Sequence, residues 1–360
     1  MKKIGIMTTG GDCSGLNAVI ANIVRAAQIR GWRVVGITDG TDGLTTHTPS
    51  VVDLDIINMP PTISRTSGSI LGNGHAGIMN FETATRSGQL RAFNNNLKTA
   101  IRKLKLDVII LVGGNGSLSL AWTNRDIYSD VQLICIPKTI DMDIPCTSRT
   151  IGFDTAVQQL VSYCDQLILT ARSHHRWFVV QSMGRDCGQL ALNAGVAAGV
   201  HAILIPEIKF DMNALIAHIK HAPTDYGIII VAEGIRIRGH SGQPAEIISR
   251  KLTAAGIPNR TAFPGHIQRA GDTTAADRIL AIQMADATIR AIENNETYVM
   301  TAYENDQCRT ITLADFYAAG RTVDDPNISG LKTSNAYVTP DNPLLHVVEN
   351  MGIYIGERRK

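Results

Sequence analysis

The sequence predicts an α/β protein with mainly parallel sheets, divided into two domains. Short apolar runs of strand length recur, each leading through a glycine-bearing turn into a helical pattern, as near residues 3–15, 108–117 and 176–188. The same alternation starts afresh after an acidic stretch around residue 140. A length of 360 residues, with 44% hydrophobic and 18% charged content, suits an ordinary globular chain too long for one core.

Composition narrows the partners. A net charge of +2 gives no global attraction to nucleic acid or a membrane surface, so any anion site has to be built locally. No apolar run reaches the roughly 18 residues that span a bilayer, and the N-terminus opens on a strand pattern, so a cytoplasmic location is expected. Cys13, Cys135, Cys146, Cys164, Cys187 and Cys308 lack the spacing of a zinc site or disulfide framework. Reduced structural thiols are expected.

The first strand covers residues 3–8 and runs into Thr9-Gly10-Gly11-Asp12-Cys13-Ser14-Gly15, with a helix from Ala18 to Ala27. That turn is either a phosphate cradle at a helix N-terminus or a plain strand-to-helix turn. A strand at Trp32–Ile37 ends at Asp39-Gly40-Thr41-Asp42-Gly43. Residues 68–77, rich in glycine, read as a mobile loop or another phosphate wall. The strand Val108–Val112 ends at Gly113-Gly114-Asn115-Gly116-Ser117, whose small residues before a helix predict a phosphate-binding turn.

Val131–Ile136 is too short for a helix and reads as a buried strand, followed by Pro137-Lys138-Thr139-Ile140-Asp141-Met142-Asp143. If this stretch is extended, Asp141 and Asp143 point the same way, one to hold a metal and the other to take a proton, with Lys138 aimed at a phosphate. Read alone, the same stretch also fits a turn or helix cap. Thr155–Thr170 reads as a helix, its stripe of Val157, Leu160, Val161, Cys164 and Leu167 being core. Arg176–Gln181 is a strand leading to Met183-Gly184-Arg185 and a helix at Gln189–Ala198. Strands follow at His201–Ile205 and Gly227–Ala232, the second ending at Glu233. From Arg260 to Arg269, Pro264 and Gly265 predict irregular backbone carrying Arg260, His266 and Arg269 as a site. Short elements are expected at Leu344–Glu349 and Ile353–Ile355.

Taken together, Gly10-Gly11-Asp12, the Gly113–Ser117 turn, Pro137–Asp143, Thr150–Ala156, Met183-Gly184-Arg185 and Gly265–Arg269 resemble the phosphofructokinase family, in the same order, from about residue 3 to residue 290. The resemblance implies two doubly wound, three-layer α/β domains with the active site in the cleft between them. It divides the chain into a phosphoryl-donor-binding domain (1–152 plus about 268–320) and a sugar-phosphate-binding domain (153–267 plus about 321–360). It implies a glycolytic kinase that moves a phosphoryl group from ATP-Mg to the 1-hydroxyl of fructose 6-phosphate. Asp141 would be the base, with Thr139 and Arg185 beside it, and Asp143 would orient Mg2+ with help from Asn115. Thr139, Met183, Gly184, Arg185, Glu233, His266 and Arg269 match the family's sugar-phosphate contacts. Arg176 and Arg260 match arginines that reach in from a neighbouring subunit of a homo-oligomer, a dimer or tetramer. The donor would lie against Gly10, Gly11, Gly72, His75, Gly113, Gly114, Asn115, Gly116, Ser117 and Lys138.

Departures from the family pattern cluster on the donor side. Thr41 stands where ATP-using members have an aromatic, His75 where they have an arginine, Asn115 at the usual acidic position, and Met142 replaces a polar residue. Gly116 leaves open the space of ATP's α-phosphate, which favours ATP; Lys138 occurs with either donor. Pyrophosphate as donor, another ketose phosphate such as sedoheptulose 7-phosphate as acceptor, and a sugar-phosphate-binding regulatory paralogue are the alternatives. With Arg25 but Ala21 on the first helix, and Lys209 near a second contact, effector control of the family's bacterial type is expected to be weak or absent.

Overall fold

The computed structural model describes residues 1–46, 48–74, 89–320 and 337–357, whose strands divide between two sheets, each with its own core. Met1–Thr139, Ile144–Gly152 and Gly271–Arg321 make one unit; Ile140–Asp143, Phe153–Ala270 and Thr322–Lys360 make the other. The tetrad Ile140–Asp143 packs with the second unit although both its flanks belong to the first.

In chain order the first sheet holds β1 (Lys3–Thr8), β2 (Arg33–Ile37), β3 (Val51–Leu54), β4 (Val108–Gly113), β5 (Gln132–Pro137), β10 (Val299–Glu304) and β11 (Gln307–Thr312). Their spatial order is β11-β10-β5-β4-β1-β2-β3. The five inner strands are parallel, and β3 and β11 close the two edges in antiparallel register. Both faces are covered, so the inner strands read as unbroken apolar runs and not as alternations. One face packs Ile109, Leu111 and Leu133 against Leu97, Ile101 and Leu118 of the helices Gln89–Leu104 and Asn115–Thr123. On the other lie the helices Leu16–Ile29 and Ala275–Glu293. Each isoleucine so enclosed contributes about 2 kcal/mol.

The second sheet is all parallel, in the order β7 (Ala202–Leu204), β8 (Gly227–Ala232), β6 (Trp177–Ser182), β9 (Asn259–Ala262). Val179, Leu204 and Ile229 pack against Leu215, Ile219, Ile248 and Leu252 of the helices Met212–Lys220 and Pro244–Ala254. The opposite face carries the helices Phe153–Ser173 and Gln189–Ala197. Asp211 caps the helix it precedes by accepting from the Ala214 amide at 2.7 Å, and Pro244 begins the next with a fixed φ.

Three local expectations differ from what is observed. Residues 137–143 are not extended throughout: Met142 takes a left-handed φ of 57°, which breaks the two-residue alternation through Asp141 and Asp143. Arg260 sits on a strand, paired with Phe178 of β6; the chain leaves the sheet after Ala262, and Gly265–Arg269 form a 3-10 turn. The helix after β4 begins at Asn115 itself, so Asn115, Gly116 and Ser117 form its first turn. Five of the six thiols are buried; Cys146 is exposed.

Candidate active site

Most of the residues expected at the acceptor gather at the carboxyl ends of β6 and β8 in the second unit. Beyond β6 the chain turns sharply, with Gly184 at φ 132° and Arg185 at φ 51°. Glu233, directly after β8, holds this turn: its Oε1 accepts from the Gly184 amide at 3.1 Å and the Arg185 amide at 2.8 Å. A side chain at Gly184 would bring its Cβ within 2.6 Å of the Cys187 carbonyl oxygen, so glycine is required there. Buried Gln268 ties in the 3-10 turn, accepting from the Met183 amide at 3.2 Å and donating to the Gly265 carbonyl at 2.9 Å. Glu233 and Arg185 also border a cavity of about 630 Å³ that continues to Arg236, His240 and Gln243.

Asp141 lies against this frame, only 4% exposed, with Arg185 Nε 3.5 Å from its Oδ2. Burial pushes its carboxyl up to about 6, and the negative charge of Asp143 adds to the shift. The cations Arg185 and Arg269 pull the other way without cancelling the desolvation. The result is a carboxylate that is ionised at neutral pH yet unusually willing to bind a proton.

Not every expected acceptor residue joins it within one chain. Arg176 precedes β6 and Arg260 pairs with its second residue, so both sit toward the amino end of the strand whose carboxyl end leads into the Arg185 turn. His266 lies on the exposed side of the turn that Gln268 anchors.

The residues expected at the donor lie in the first unit, where the sheet changes its direction of growth. From β1 the chain steps to β2 on one side, then returns to place β4 on the other, which leaves a crevice beyond the carboxyl ends of β1 and β4. The Gly10-Gly11 turn borders it, and buried Lys138 joins that turn by donating from Nζ to the Gly11 carbonyl at 2.5 Å. Gly113 ends β4 and Gly114 caps the next helix, with the Lys138 amide donating to the Gly113 carbonyl at 2.9 Å. The first amide bonded within the next helix is that of Leu118, so the turn formed by Asn115, Gly116 and Ser117 presents a helix N-terminus. A Cβ on Gly116 would meet nothing within 4 Å. Gly72, at φ 73°, packs on the Asp39 turn after β2. Thr139 donates its amide to the Ile151 carbonyl at 3.1 Å and accepts from Thr150 Oγ1 at 2.8 Å. His75 lies outside the described residues.

The residue that sequence reasoning passed over is Gln268. It stands inside the Gly265–Arg269 motif, but its burial and its bond to the Met183 amide appear only in the fold. Glu233 was expected at sugar hydroxyls, but its Oε1 is committed to two backbone amides, so a hydroxyl would meet Oε2.

A model of the phosphofructokinase family matches residues 3–292. ATP-dependent 6-phosphofructokinase 1 of Nostoc sp. is 35% identical over an aligned length of 373, covering 99% of both chains. The ATP-dependent 6-phosphofructokinase of Natranaerobius thermophilus is also 35% identical, covering 88% of this chain and 94% of its own. Among solved structures, phosphofructokinase from Saccharomyces cerevisiae superposes with a TM-score of 0.78 at 26% identity, over 89% of this chain and 46% of that longer one. A pyrophosphate-dependent phosphofructokinase from Marinobacter aquaeolei shares the fold at TM-score 0.75 and 18% identity, over 99% of this chain and 89% of its own. With the family matched along most of its length and relatives of equal length at this identity, the chain belongs to the phosphofructokinase family.

Proposed function

We propose that this enzyme moves a phosphoryl group from ATP-Mg to the 1-hydroxyl of fructose 6-phosphate, giving fructose 1,6-bisphosphate in the cytoplasm. The observation that carries this reading is the buried Asp141 carboxylate, pushed up to about 6 and set 3.5 Å from Arg185. Asp141 accepts the hydroxyl proton as the oxygen bonds to the terminal phosphorus, and the bond to the leaving ADP oxygen breaks with its electron pair. Arg185 offsets the charge that develops. Arg269 and His266 hold the 6-phosphate, Glu233 Oε2 and the Met183-Gly184 turn the sugar, and Thr139 the transferring group. Arg176 and Arg260 serve a neighbouring subunit's site in a homo-oligomer, a role supported by their place toward the amino end of β6, away from the turn that carries Arg185.

Among the described residues no cluster of three or more His, Cys, Asp or Glu side chains could hold a metal unaided. The donor set that remains, the Asp143 carboxylate and the Asn115 amide oxygen, is hard and oxygen-only, which fits magnesium bound mainly through substrate phosphates and water. When bound, the ion would neutralise phosphate charge. On the donor side, the open space at Gly116 supports ATP, as do the names of the curated relatives. Pyrophosphate is the second reading, favoured by Thr41 in place of a stacking aromatic.

A coupled assay with fructose 6-phosphate, magnesium and either ATP or pyrophosphate, run beside Asp141→Ala, tests the proposal. Turnover that is lost in the variant is expected. Fructose 6-phosphate binding without turnover from either donor or with a seven-carbon acceptor would identify a regulatory paralogue instead. Turnover that survives the substitution would remove Asp141 as the base.

A further inference from the structure

Glu207 follows β7 in the second unit and belongs to none of the motifs discussed above. Its side chain is largely enclosed, and burial pushes its carboxyl above the ordinary range. One oxygen, Oε1, accepts two backbone amides far apart in sequence: Gly188 at 2.8 Å and Val338 at 3.2 Å. Gly188 ends the turn that begins at Gly184 and precedes the helix Gln189–Ala197; within that turn the Cys187 amide donates to the Gly184 carbonyl at 2.9 Å. A Cβ on Gly188 would stand 2.5 Å from Glu207 Oε2, so glycine lets the carboxylate close on the backbone. The carboxylate thus fastens the chain at Val338 directly onto the far side of the turn that carries Arg185.

The residues next to the two held amides share an electrostatic neighbourhood with Glu207. Buried Cys187 and the neighbouring Tyr337 both lie within the electrostatic reach of Glu207 and Asp143. A buried carboxylate is costly to keep, and it is better spent than on a surface pair when two amides must be held at once. The same two amides, left without it, would be orphaned donors beneath the acceptor turn.

The geometry points to Glu207 as a positioning residue for the acceptor site, latching the C-terminal segment at Val338 to the Gly184–Gly188 turn so that Arg185 and the turn's amides meet the sugar phosphate. This rests on the proposed acceptor. Glu207 touches no substrate; it sets the turn that does. The amide of glutamine still offers an oxygen to both N–H groups, whereas alanine offers none, so clamp and charge are separable.

The test is calorimetric binding of fructose 6-phosphate, with steady-state KM for fructose 6-phosphate and for ATP, on wild type, Glu207→Ala and Glu207→Gln. Glu207→Ala is expected to weaken fructose 6-phosphate roughly 10- to 100-fold, as misplaced binding groups do. Glu207→Gln is expected to recover to within about threefold, with KM for ATP little changed in either, since the latch fixes only the acceptor turn. If Glu207→Ala does not fold, Val338→Pro removes the same bond from its other end and is expected to weaken fructose 6-phosphate in the same direction. Normal fructose 6-phosphate binding by Glu207→Ala or Val338→Pro overturns the inference, as does a glutamine variant that binds no better than alanine. Wild-type protein that binds no fructose 6-phosphate overturns the proposed acceptor, and this assignment with it.

Discussion

Replacing Asp141 by asparagine should make the protein more stable and almost inactive, with a pH dependence that reveals the cause. The folded chain raises the Asp141 carboxyl from 3.8 to about 6, because desolvation outweighs the attraction of Arg185 and Arg269. A group whose folded value is raised holds its proton more tightly in the native state. Wild-type stability therefore falls as pH climbs from about 4 to about 6, and the loss is complete above that window. A shift of about 2 units is worth about 3 kcal/mol at 1.36 kcal/mol per unit. Asparagine keeps the shape and carries no charge, so the variant should be close to wild type near pH 4 and more stable by up to about 3 kcal/mol at pH 8. Urea unfolding of both proteins at pH 5 and pH 8, read by fluorescence, measures the difference. In parallel, the variant should lose about 10²- to 10⁴-fold in kcat, and wild-type kcat/KM for fructose 6-phosphate should decline below about pH 6 as the base takes up its proton. A variant no more stable than wild type at pH 8, or one whose advantage does not shrink on acidification, would refute the claim that buried charge is what Asp141 costs the fold.

Three further outcomes follow from the geometry. Gly116→Asp places a carboxylate where a Cβ now meets open space, so the fold should survive while ATP turnover falls at least tenfold from charge repulsion with the nucleotide phosphates; undiminished ATP kinetics would contradict it. Gly184→Ala forces a Cβ to within 2.6 Å of the Cys187 carbonyl at a φ of 132°, and should lower stability by roughly 1–3 kcal/mol with loss of fructose 6-phosphate binding, both measurable by denaturation and calorimetry. Asp141→Ala and Arg176→Ala, each inactive alone, should regain part of wild-type turnover when refolded together, since a hybrid oligomer contains sites with both residues intact; no recovery would remove Arg176 from a shared site.

The parallel strands were legible because sheets covered on both faces leave uninterrupted apolar runs, as in β4 and β8, and because glycine turns punctuate their carboxyl ends. The antiparallel edge of β10 and β11 was missed, although its signal is present: Asn305 and Asp306 both take positive φ, 49° and 60°, the turn chemistry of a two-residue hairpin. Of the site, the residue types and their order could be read from the chain, but not the conformation that arms them. Nothing in the stretch Pro137–Asp143 announces that Met142 is left-handed, since a methionine carries no preference for that region. Gln268 and Glu207 escaped for a related reason: each works through backbone amides brought to it by the fold, and amides leave no mark in a sequence.

The uneven burial of the six thiols has a practical use. Cys146 is the exposed one, three residues after Asp143 in the chain, and the other five are enclosed. A maleimide dye should therefore attach at a single place without any cysteine being engineered away. Partial burial, with Asp315 and Glu304 nearby, raises the Cys146 thiol, so coupling calls for a mildly alkaline buffer. One fluorophore beside the acidic loop would turn donor and acceptor binding into an optical signal, read in real time on the unaltered sequence.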